Sequence, residues 1–153
     1  MHHDEWVYVL ARGLGGVAYV AEPLALYRQH GANVTGAAGG WRQRLDQAFS
    51  VGRTYYDRRR EQALTLAEIF EGIAERQPEL RDRADAAASA YREQAARLEA
   101  RLTVYDPAAK ASKRFSRLLG LTASGRYVSK SGDGWGTKGL LRDAVMIALR
   151  RTG

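Results

Sequence analysis

Apolar residues that return every three or four positions, broken once by a Gln-Pro pair, constrain this chain more than any other feature. The runs Ala63, Leu66, Phe70, Ile73 and then Leu80, Ala84, Ala87, Tyr91, Ala95, Leu98, Leu102, Tyr105 each mark one face of a helix. Pro78 disfavours helix in the residue before it, so the first run closes at Gln77. The spacing predicts an antiparallel pair or a short coiled-coil-like hairpin, with few bulky residues in the first half of its second arm. Upstream, Trp41, Leu45, Phe49, Gly52 and Tyr56 carry the same stripe until Arg58-Arg59-Arg60 interrupts it. That predicts either one long bent helix or two stacked ones before Pro78.

Asp106-Pro107 is the next boundary. Residues 108–121 and 137–151 read as two amphipathic basic helices, joined by Ser124-Gly125 and the stretch from Lys130 to Gly136. Phe115, Leu118, Leu119 and Leu121 lie beside Lys110, Lys113, Arg114 and Arg117 in the first. Leu140, Leu141, Val145 and Leu149 lie beside Lys138, Arg142, Arg150 and Arg151 in the second. At the front, Asp4 to Leu14 reads as a short helix, capped by Asp4 and stopped by Gly13, Gly15 and Gly16. Trp6, Val9, Leu10 and Leu14 share its apolar face. Val17–Val20 and Leu24–Tyr27 then read as two strands about a Glu22-Pro23 turn, a β-hairpin.

The 153 residues allow one domain with a real core, or a small piece of one plus an appendage. With no cysteine there is neither a disulfide framework nor a thiolate metal site, which suits a reducing compartment. No apolar run approaches the ~20 residues of a membrane-spanning helix. The formal net charge of +7 is unevenly placed. Residues 1–36 carry −1 and residues 37–106 carry zero. Residues 107–153 hold ten basic side chains against Asp133 and Asp143, a net of +8. A basic end of this kind points to an anionic surface, and an anionic membrane leaflet is the first candidate. The alternative is that both helices pack on the bundle with Lys and Arg outward. Nucleic acid ranks last, because no helix-turn-helix, zinc or aromatic-basic sheet motif accompanies the charge.

All three histidines fall within the first thirty residues. The string His3-Asp4-x-Trp6 is followed by Glu22-Pro23-Leu24-x-Leu26-Tyr27-Arg28-Gln29-His30-Gly31-x-Asn33-x-x-Gly36. Together these resemble the C-terminal part of the catalytic domain in glycosyltransferase family 2, in its rhamnosyltransferase-like branch with a GT-A fold. The resemblance is dense over residues 1–37 and only general beyond. It implies that the short helix and β-hairpin (1–37) are left from a GT-A α/β domain; with the helical hairpin (38–106) and basic amphipathic helical tail (107–153) read from periodicity, the chain is expected to be mainly α. It implies an inverting transfer from a nucleotide-sugar to a glycan or lipid-linked acceptor.

Asp4 matches the catalytic base of such enzymes, His30 the histidine that helps hold a divalent metal (Mg or Mn), and Arg28 a partner for the donor diphosphate. Trp6 and His3 fall where the acceptor would bind. The sequence departs from the family pattern in having no strand-and-helix nucleotide-binding half and no Asp-x-Asp motif. Met1 stands where the pattern is internal, so the chain is expected to be part of a larger enzyme and inactive alone. Its expected location is cytoplasmic, with peripheral contact at the inner face of the membrane. Without that context Asp4 is an N-cap, His30 a satisfied polar residue, Trp6 and Tyr27 packing residues, and Arg58–Arg60 a solvated face. The rival reading is a non-catalytic helical module that docks on an anionic membrane or a partner protein.

Overall fold

The computed structural model describes residues 3–18, 20–22, 52–127 and 135–149, and within them the protein is helical. Five helices follow in order: α1 (His3–Leu14), α2 (Arg53–Arg76), α3 (Arg81–Leu102), α4 (Ala111–Ala123) and α5 (Gly136–Ala148). Short 3-10 turns at Pro78–Leu80 and Thr103–Tyr105 flank α3.

Helices α2 and α3 form the predicted hairpin. Helix α2 runs unbroken through Arg58–Arg60 and ends where Gln77 donates its backbone N–H to the Ile73 carbonyl at 2.9 Å. Its Ala63, Ala67 and Ala74 are buried, as are Ala84, Ala88 and Ala95 of α3. Small side chains at these positions let two helix backbones approach closely, and larger residues seal the seam. Phe70, fully buried, stacks on Tyr91 with centroids 5.7 Å apart and planes 9° from parallel.

Helix α1 lies on the hairpin near its turn. Trp6, Val9, Leu10, Gly13 and Leu14 are its half-buried positions, while Val7 and Tyr8 face solvent. Arg83 donates to the Leu14 carbonyl at 3.0 Å, satisfying an acceptor that a helix end leaves open. Gly13 does not stop α1. It sits inside the helix against Phe70, where a β-carbon would lie 2.5 Å from the ring.

The expected β-hairpin is corrected: the described residues contain no strand. Val17, Ala18 and Val20 have no regular secondary structure, and Val17 and Val20 are exposed. The return limb, Leu24–Tyr27, lies outside the described residues. Among the described residues no strand lies beside Val17, Ala18 and Val20, and an isolated two-stranded ribbon is marginal at best in water.

The second packed centre lies at the open end of the hairpin. Tyr56 of α2, Leu98 and Leu102 of α3, Val104 and Tyr105, Leu118 of α4, Tyr127, and Met146 and Ile147 of α5 form one buried cluster. The two basic helices therefore fold back onto the hairpin.

Candidate functional site

Among the described residues, two of the concave regions bear on function. The first contains Trp6, one of the front residues singled out by sequence. His3 and Asp4 open α1 as its first two residues, so Asp4 lies in the first turn of the helix, where the sequence predicts a cap. Trp6, half-buried, lines a groove of about 360 Å³ with Arg58, Glu61, Gln62, Thr65 and Leu66 of α2. An indole beside a guanidinium, a carboxylate and an amide is a surface suited to a sugar, which presents both an apolar face and a rim of hydroxyls. Arg28 and His30 lie outside the described residues.

The second region is a cleft of about 540 Å³ at the open end of the hairpin, bordered by Tyr55, Tyr56, Arg59, Arg97, Arg101, Trp135 and Arg142 among others. One of its lining residues, Arg101, belongs to a buried ion pair. Asp143, fully buried, accepts Nε of Arg101 at 2.8 Å and Nη2 at 2.9 Å, one on each carboxylate oxygen. Tyr105 donates its hydroxyl to the same carboxylate at 2.6 Å and Tyr127 at 2.5 Å. Four donors thus converge on one carboxylate. The Arg101 guanidinium also lies 4.4 Å from the Tyr56 ring centroid and 4.6 Å from that of Trp135.

Electrostatics follow from this geometry. Burial, then the Asp143 charge and hydrogen bond, push the Tyr105 and Tyr127 phenols far above their ordinary value. Burial works against the Arg101 charge, but the bonds and charge of Asp143 outweigh it and hold the guanidinium above its usual range. Burial likewise raises the Tyr56 phenol. All three phenols are neutral at physiological pH, Tyr105 and Tyr127 as donors to Asp143 and Tyr56 as an acceptor from Arg142.

Arg59 and Arg142 border the cleft differently. Arg59 lies 5.9 Å over the Tyr55 ring and reaches the Gln62 amide at 3.5 Å, and among the described residues no carboxylate pairs with it. Arg142 donates to the Tyr56 hydroxyl, its Nε stands 3.8 Å from Asp143, and that Nε is buried without a hydrogen-bond partner. A smaller hollow of about 170 Å³ shares Gln62 and Leu66 with the Trp6 groove and Arg59 and Gln94 with this cleft. The small hollow thus borders both, and no residue lines all three.

Sequence reasoning placed Asp4 and Trp6 on one helix, which the structure begins one residue earlier at His3, and missed the Arg101–Asp143 centre. Periodicity puts Arg101 beside Leu98 and Leu102 on the buried arc of α3, and a charge there is the one signal that asks for a buried partner. Among the described residues no three His, Cys, Asp or Glu side chains gather as metal ligands would, and those residues alone do not make a site for the implied Mg or Mn. No helix is long and apolar enough to cross a membrane among the described residues. No family model, no curated protein and no solved structure matches the chain.

Proposed function

We propose that this chain is the acceptor-side, C-terminal part of an inverting, nucleotide-sugar-dependent glycosyltransferase of the family 2 type, inactive without a nucleotide-binding half. The observation that carries the reading is the paired strings His3-Asp4-x-Trp6 and Pro23-Leu24-x-Leu26-Tyr27-Arg28-Gln29-His30 at their spacing. Support comes from Trp6, which lines a groove of sugar-binding composition. In the proposed step the Asp4 carboxylate takes the proton of an acceptor hydroxyl as its oxygen bonds to the anomeric carbon of the donor. The bond from that carbon to the diphosphate breaks, and the nucleotide leaves with the electron pair. Arg28 offsets the charge on the leaving diphosphate. Trp6 and His3 position the acceptor.

In an enzyme completed with its donor-binding half, Asp4→Asn abolishes transfer and leaves donor binding nearly intact; normal turnover by that variant removes Asp4 as the base. Trp6→Ala raises the acceptor KM about tenfold with a smaller effect on donor KM.

A second reading is favoured by one observation. Phe115 and Leu119 stand exposed one turn apart on α4, and Leu141 is exposed on α5, within the basic C-terminal region. In this reading the chain docks on the cytoplasmic face of an anionic membrane. Sedimentation with phosphatidylserine vesicles at low and high salt tests it: salt-sensitive binding lost in Leu119→Ser supports it, and no binding ends it.

A further inference from the structure

The geometry points to the arginine cleft as a second binding site, one that takes the phosphate of an organic phosphate ester and packs the attached ring on Tyr55 and Trp135. Three observations carry this. The cleft, at about 540 Å³, is of a size that holds a small ligand. Its cations are in excess. Asp143 neutralises Arg101 and Glu93 pairs with Arg97 at 2.6 Å, while Arg59 has no carboxylate among the described residues. Arg142 faces a carboxylate whose two oxygens already accept four closer donors, and its Nε is buried with no acceptor. A buried guanidinium N–H without an acceptor is costly, and an entering anion removes that cost.

The third observation is the wall. Tyr55 and Trp135 border the same cleft as the two arginines. Guanidinium groups match phosphate oxygens in planar, paired geometry, and the aromatic rings supply the apolar face that a sugar or base requires. A free phosphate would leave that face unused, and an uncharged sugar would leave both arginines unanswered. The Arg101–Asp143 pair holds Tyr56 and Trp135 in place without adding net charge, which makes it a positioning element.

Two sources could present this chemistry: a soluble sugar or nucleoside phosphate, or a lipid-borne phosphate of an acceptor. Calorimetric titration of the chain with glucose 1-phosphate, with glucose, and with phosphatidylcholine vesicles carrying a polyprenyl phosphate separates them. A phosphate ester binds and glucose does not; Arg59→Gln and Arg142→Gln each weaken binding roughly tenfold or more. Glucose 1-phosphate binding assigns a soluble source, and binding confined to the polyprenyl phosphate vesicles assigns a lipid-borne one. Arg59 is exposed, so its variant keeps the fold, and circular dichroism checks this. Failure of both phosphates to bind, equal binding of glucose, or unchanged affinity in Arg59→Gln overturns the site. Because binding is read rather than transfer, the outcome is independent of whether Asp4 is a base.

Discussion

Asp143 is where single residues matter most. Its carboxylate is fully buried, and its tolerance for burial rests on Arg101, Tyr105 and Tyr127 together. Asp143→Ala leaves the Arg101 guanidinium buried and uncompensated, which costs about 3–5 kcal/mol. Tyr127→Phe removes one bond to a charged acceptor and costs about 2 kcal/mol, read as a shift of the urea midpoint with unchanged slope. The phenols also set a direction in pH. Both have folded-state values raised above the unfolded value near 10, so the folded chain holds their protons longer. The stability they contribute is complete below about pH 10 and is lost as pH rises beyond it, because the unfolded chain ionises first. Alkaline titration followed by tyrosinate absorbance should therefore leave two of the eight tyrosines silent until the protein unfolds. Ionisation of all eight before unfolding would contradict the buried placement.

At the scale of elements, Gly13 gives the sharpest test of packing. Alanine has the higher helix propensity by up to about 1 kcal/mol, so an exposed or undocked α1 would gain from Gly13→Ala. The added β-carbon instead meets Phe70, whose ring is fully buried and stacked on Tyr91. Overpacking of this kind costs about 1–3 kcal/mol. The variant is expected to lose roughly 1 kcal/mol or more in thermal unfolding, with faster amide exchange confined to α1; a gain would mean that α1 does not dock there. The helices themselves were legible because period and Pro78 act locally. The inward face of α4 was not. Positions 114, 118 and 121 share one side of a helix and 115 and 119 another, and both sides carry leucine. The choice falls to Arg114, which turns inward and donates to the Val104 carbonyl at 2.8 Å. That acceptor belongs to a 3-10 turn ten residues upstream, so no local pattern could reveal it. Burial lowers the Arg114 pKa, and Phe115 is left exposed as a consequence of the same rotation.

For the whole molecule, the basic excess of residues 107–153 overstates the free charge of that end. Arg114 is turned inward onto the Val104 carbonyl and Arg117 is paired with Asp106 and the Thr103 carbonyl, while Arg142 bonds the neutral Tyr56 hydroxyl and keeps its charge for the cleft. These cations hold α4 and α5 to the hairpin, which sequence-level charge counting cannot distinguish from a surface patch. The candidate cleft was hidden for the same reason: Arg59, Arg101 and Arg142 are far apart in sequence and meet only when the tail folds back. Removing residues 107–153 should then do more than shorten the chain. It uncovers Tyr56, Leu98, Leu102, Val104 and Tyr105 and takes Asp143 away from Arg101. At about 1.5–3 kcal/mol for each large side chain returned to water, the gross loss is on the order of 10 kcal/mol, comparable to the net stability of a whole domain. The Ala-lined seam near Pro78 does not depend on the tail. The truncated chain is expected to retain helix there, while amide protection falls over residues 53–60 and 95–105. Full protection over both segments, or an unchanged melting temperature, would mean that the hairpin is self-sufficient and that the Arg101–Asp143 centre contributes little to the fold.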